Sequence, residues 1–177
     1  MVKRKASILL IASSLLMLPV AATAQSDKAG GVNTTTAGKG GAVTEGALIE
    51  RYSVLAGSPD NAKSLVKGLR SKSEVVLVGP SMAPTRCMPG RTCPPATETV
   101  KFMPPTEPMG LGNVDIALAL LESDLKNKNV ASAKPRHIKA GLMGESVTGI
   151  TFEGILKLRA AGMGWGEIAN MLGFKLK

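Results

Sequence analysis

The chain has 177 residues, with 22 Lys and Arg against 13 Asp and Glu, one His, two Cys and one Trp. That length supports one domain with a true core and not two ordinary ones. One His and two Cys are too few ligands for a zinc centre, and a formal charge of +9 biases the chain toward polyanions without naming a partner.

The chain opens on Lys3, Arg4 and Lys5, followed by an apolar stretch over 6–20 and the small-x-small pattern Ala22-Thr23-Ala24. This is the layout of a signal peptide, and cleavage is expected between Ala24 and Gln25. The apolar stretch is too short to span a bilayer comfortably, and polar, Gly-rich sequence follows it, so no permanent membrane span is expected. No Cys follows the apolar stretch, which leaves no site for lipid attachment there. The expected location is the periplasm or the exterior, and the mature chain keeps 19 Lys and Arg against 13 Asp and Glu.

Residues 25–43 are rich in Gly and Thr and nearly free of large apolar side chains, and such a segment cannot offset its ordering entropy. They are expected to form a disordered leader ahead of a single globular domain over 44–177. Leu48, Tyr52 and Leu55 share a helical face that Gly57 ends. Ser58-Pro59-Asp60 starts a second helix with an oxygen acceptor, a preset φ and an acid near the positive helix end, and it carries Leu65, Val66 and Leu69 inward.

Val75 to Val78 and the alternation Thr99, Val100, Lys101, Phe102 predict two strands of one β-hairpin with a Pro-rich tip over 80–95. Cys87 and Cys93 flank Pro89-Gly90 in that tip. In an oxidising compartment they are expected to close a disulfide, at the low end of the ~2–4 kcal/mol range because the loop is short. A redox pair would show a two-residue spacing before a helix.

A helix is expected from Asn113 as N-cap, with Asp115 in its first turn and Ile116, Leu120 and Leu121 apolar. Shorter helices follow over 135–143, 152–161 and 165–172, with Gly162 and Gly173 as stops. The fold class is therefore α+β and mostly helical: two N-terminal helices, one β-hairpin with a disulfide-stapled loop, and three or four short C-terminal helices.

The C-terminal segment has the spacing of a helix-turn-helix, Gly162 then Ile168-Ala169 then Leu172-Gly173. A recognition helix beginning after Gly173 would have four residues, and one over 165–172 would present Glu167 and Asn170 to phosphates. Together with export, this disfavours DNA binding. The alternative is a packing hairpin, with Trp165 as a core anchor and Gly162, Gly164 and Gly166 allowing close approach.

Gly110-x-Gly112 before a helix has the look of a phosphate loop. The position of the third glycine is Asp115, whose charge would oppose a pyrophosphate, and helix capping by Asn113 is the better account. The single histidine, His137, lies among Lys134, Arg136 and Lys139 with no acid nearby in sequence. It is expected as a solvated side chain, unfit for a nucleophilic triad. Residues 126–139 hold five cations and no acid. Lys134, Arg136, His137 and Lys139 are the candidate patch for an anionic ligand, against the plainer reading of a solvated helix end. Any two of Glu98, Glu107, Glu122, Asp124, Glu145, Glu153 and Glu167 could pair for hydrolysis, but no spacing selects a pair.

The stretches 102–120 ("FMPPTEPMGLGNVDIALAL") and 155–176 ("ILKLRAAGMGWGEIANMLGFKL"), with 56–70 upstream, resemble a group of exported proteins of Gram-negative bacteria to which no activity is assigned. The resemblance implies an exported destination and carries over no catalytic residue. Two classes of function remain. The first is a non-enzymatic interaction or structural protein of the cell envelope, with an envelope component, an anionic polymer or lipid headgroups as partner. The second is a small envelope hydrolase using paired carboxylates. No cofactor and no metal site are expected, and nucleic acid is a disfavoured partner.

Overall fold

A computed structural model describes residues 43–82 and 96–174, all within one compact unit. The expected export segment, the expected leader up to residue 42 and the expected Cys87–Cys93 disulfide lie outside the described residues. Those described are α+β and 54% helical, with six helices. In chain order the elements are α1 (Glu45–Ala56), α2 (Pro59–Ser71), β1 (Val75–Pro80), β2 (Thr97–Phe102) and α3 (Leu111–Asn127). They continue with α4 (Pro135–Met143), β3 (Ser146–Val147), β4 (Ile150–Thr151), α5 (Ile155–Ala160) and α6 (Trp165–Met171).

The N-terminal helices begin where local chemistry starts them. Thr44 Oγ1 accepts from Ala47 N at 3.2 Å and Ser58 Oγ accepts from Asn61 N at 3.1 Å, each satisfying an orphan first-turn donor. Gly57, at φ 79°, supplies the left-handed residue that separates them. α1 buries Leu48, Tyr52 and Ala56, whereas Leu55 is only partly covered. The inner row recurs every four residues, so the small Ala56 takes the place beside the tight turn into α2.

β1 and β2 pair antiparallel, with Val75 opposite Phe102 and Val78 opposite Thr99. Val75, Leu77 and Phe102 point into the core, while Val78, Thr99 and Lys101 are exposed. The outer edge of β1 is closed by α2. Asn61 Nδ2 donates to Val78 O at 2.8 Å and to Ala56 O at 2.9 Å, and its Oδ1 accepts from Val78 N at 2.9 Å. One turn on, Ser64 Oγ accepts from Val76 N at 2.8 Å. Two side chains of a helix thus occupy the place of a third strand.

α3 spans 17 residues and is the central helix, burying Val114, Ala117, Leu118, Leu121 and Leu125. It is joined to α1 by Tyr52, whose hydroxyl donates to Asp115 Oδ1 at 2.6 Å while Arg51 reaches the same carboxylate at 3.0 Å. Burial and the neighbouring Asp115 hold the Tyr52 hydroxyl protonated far above its ordinary range. The expected cap is corrected here. Gly110 is the N-cap, the helix starts at Leu111, and Asn113 lies inside the first turn.

Four helices follow the hairpin: α3 runs 17 residues, and the three after it are shorter. A second ribbon, β3 with β4, was not anticipated, since two residues per strand leave no alternation to read. After it the chain returns on α4 by a backbone crossing. Gly144 and Gly154 have φ of 71° and 82°, and a Cβ on Gly154 would lie 2.6 Å from Gly144 N. α5 starts after that crossing, so Phe152 packs in the core ahead of the helix and not within it. α5 and α6 form the packing hairpin, with Ile155, Leu156, Ile168, Ala169 and Leu172 buried.

Candidate functional site

Lys134, Arg136, His137 and Lys139 come together on the first turns of α4 and the residue before it. They do not present four free positive groups. Arg136 Nε bonds Glu98 Oε2 at 2.7 Å, Lys139 lies 3.0 Å from Glu145 Oε1, and Lys134 Nζ reaches Ser81 O at 3.4 Å. Lys126 and Lys128, earlier in the same run, pair with Glu122 and Asp124 one turn back. The run reads as unopposed charge because its partners all lie outside it, with Glu122 and Asp124 just before, Glu145 just after, and Ser81 and Glu98 distant in sequence.

His137 is corrected from a solvated side chain to a buried one, 8% exposed. Its Nδ1 accepts from Lys134 N at 3.2 Å, closing the start of α4 in the manner of a capping-box Gln. Burial and the adjacent Lys134 charge push its pKa below the usual range, which keeps the ring neutral and accepting.

The candidate carboxylates are dispersed. Three surface clefts hold one each: Glu107 in the first, Glu122 in the second and Glu145 in the third. Asp124 is the buried acid, 2% exposed, with Lys128 at 3.4 Å and Oδ2 lacking a partner among the described residues. Burial raises its pKa, Lys128 opposes that, and Glu153 adds to the rise. Neither Asp124 nor Glu153 lines any of the three clefts.

The largest of these clefts, about 510 Å³, lies between residues 105–109, Asn113 and the end of α5. Its organising group is Arg159, which the sequence analysis did not single out. The guanidinium donates to Met163 O at 2.9 Å and stacks over Trp165, 5.1 Å from the ring centroid. The Trp165 indole N–H in turn donates to Asn113 Oδ1 at 3.1 Å. Trp165 is partly buried and packs against the core, and although it does not itself line the cleft it braces Arg159 and Asn113, which do. The signal for this was present in the i, i+6 spacing of Arg159 and Trp165 across a glycine turn. Asn113, expected as a cap, is instead the acceptor that fixes the indole.

No group of three metal-ligating side chains gathers among the described residues, and no helix among them is long and apolar enough to cross a membrane. α6 carries no cation, and its Glu167 is turned back to accept from Gly164 N at 2.7 Å. No family model, no curated protein and no solved structure matches the chain.

Proposed function

We propose that this is an exported protein of the cell envelope that works by binding and not by catalysis. In this reading residues 1–24 are removed as a signal peptide, and the mature chain acts in the periplasm or outside the cell. The observation that carries it is the cleft at Arg159. An arginine without a carboxylate within ion-pair distance among the described residues is fixed by a carbonyl and an indole on the wall of the largest of the three described clefts. That is the construction of a recognition site, in which a charged group is oriented before a ligand arrives.

The distribution of charge supports the same view. The described residues hold 13 Lys and Arg against 12 Asp and Glu, close to balance. The excess cations lie in the flanks and the cysteine loop, as Lys28, Lys39, Arg86, Arg91, Lys175 and Lys177. Attraction to anionic polymers or lipid headgroups therefore belongs to those segments more than to the α4 patch. The test is fractionation with N-terminal sequencing, followed by capture from envelope extract on the immobilised mature protein. A start at Gln25 in periplasmic or extracellular material, with a retained envelope component, supports the reading. An intact Met1 on soluble intracellular protein overturns it.

A further inference from the structure

We infer that the Arg159 cleft binds a small organic anion, an apolar body carrying a carboxylate or phosphate head. This inference rests on the binding role proposed above and names its ligand class. Four observations converge on it.

The first is the guanidinium. It spends one N–H on Met163 O, and its other donors have no partner among the described residues, while the stacked Trp165 holds its plane. The second is the start of α3. Gly110 offers no side-chain cap, and the N–H groups of Leu111 and Gly112 have no hydrogen-bond partner among the described residues. Residues 110–112 do not themselves line the cleft, but Met109 and Asn113 on either side of them do, and space is open around both Gly110 and Gly112, so an oxyanion at the edge of the cleft can approach the positive end of a 17-residue helix.

The third observation is independent of the helix. Thr106 contributes to the cleft, is 5% exposed, and its Oγ1 has no hydrogen-bond partner among the described residues. That Oγ1 is covered in this structure, and a buried hydroxyl left unbonded is unfavourable, so turning it toward a polar atom in the cleft is favoured. The fourth is the remaining wall, where Pro105, Pro108, Met109 and Ala160 offer apolar surface to the body of a ligand.

Two acids bear on the same region. Glu107 lines the cleft, and its charge is matched there by Lys72 Nζ, 2.6 Å from its carboxylate, with the side chain 83% exposed. Asp115, which the sequence set against phosphate binding, is engaged by Tyr52 and Arg51 on the side of α3 facing α1. It follows Asn113 by two residues, about 200° around the helix, so its charge is turned away from the cleft.

Trp165 is the only tryptophan in the chain, and its two neighbours Asn113 and Arg159 line the cleft. Its fluorescence therefore reports on the site directly. The mature protein is titrated with benzoate, phenyl phosphate, inorganic phosphate and the neutral benzamide. A saturable change with benzoate or phenyl phosphate, at least tenfold weaker with benzamide, is expected, and comparison of the two acids separates carboxylate from phosphate. Inorganic phosphate tells whether the apolar body contributes.

Arg159→Gln is expected to weaken binding at least tenfold, with Arg159→Lys intermediate. Should Arg159→Gln fail to fold, judged by circular dichroism, Ala160→Glu serves instead. It places a carboxylate at an exposed position on the cleft wall and is expected to abolish the titration. Equal responses to benzoate and benzamide, no response to any probe, or an unchanged titration in the folded variants each overturn the inference. Retention of an envelope component alongside any of these would leave the broader binding role standing.

Discussion

Replacing Asn61 with Ala tests the idea that a helix side chain stands in for a strand. The carboxamide satisfies Ala56 O, in a fully buried bond, and both the N–H and the C=O of Val78, in partly buried ones. Leaving the buried acceptor unpaired costs about 1–3 kcal/mol, and each partly solvated bond contributes roughly 0.5–1.5 kcal/mol. The expected loss is therefore about 4 kcal/mol, or roughly 10–15 °C in Tm for a chain of this size. Ser64→Ala, which removes one bond to Val76 N, sets the scale at about 1 kcal/mol. Asn61→Asp keeps an acceptor for Val78 N but turns a carboxylate toward two carbonyls, and is expected to be worse than Ala. Urea unfolding followed by circular dichroism and Trp165 fluorescence measures all three. A loss below about 0.5 kcal/mol for Asn61→Ala, or equal losses for Ala and Asp, would refute the strand-substitute account, because neither outcome is compatible with three satisfied main-chain groups.

Gly154→Ala is expected to destabilise by 3 kcal/mol or more, on the order of the largest single-site effects, since the residue has positive φ and its Cβ would meet Gly144 backbone at 2.6 Å; Gly149→Ala, strained but with open space, should cost less. His137 is the only histidine, and its folded pKa is depressed, so the stability it contributes is present above pH 6.5 and is lost as pH falls through the folded value. Nuclear magnetic resonance should show the ring titrating below 6.5, and His137→Gln, which keeps the acceptor, should flatten stability between pH 5 and 7. Asp124 runs the other way: its folded pKa is raised, so its stabilising contribution is present at low pH and falls as pH rises through the window above 3.8. Asp124→Asn should therefore gain on the parent in melts taken from pH 4 to pH 7. Cys87 and Cys93 are expected to resist alkylation in exported material until reductant is added.

Much of the secondary structure was legible because it is written locally. Ser58-Pro59-Asp60, Gly57 and the Pro135 start each need only neighbours a few residues away, and the helices fall where these signals place them. β1 was legible as the apolar run Val75 to Val78, and β2 through the alternation of Val100 and Phe102 with Thr99 and Lys101. What escaped was long-range pairing. The partner of Asn113 is 52 residues away on α6 and that of Arg136 is 38 residues away on β2, so a cap and a free cation were natural readings of residues that serve other elements. Asn61 reads locally as a helix-start residue, and nothing near it announces that β1 will pass alongside. The cleft was missed for the same reason. It needs the α5 end brought against the segment before α3, and only packing does that.

The closure of β1 by Asn61 and Ser64 leaves the ribbon with a direction. Val76 and Val78 turn their main chains toward α2, so their opposite numbers Lys101 and Thr99 turn theirs outward, beside Arg136 and Lys139. Among the described residues, the berth left to a newcomer extending this sheet is next to β2, where it enters among cations already matched by this chain's own acids.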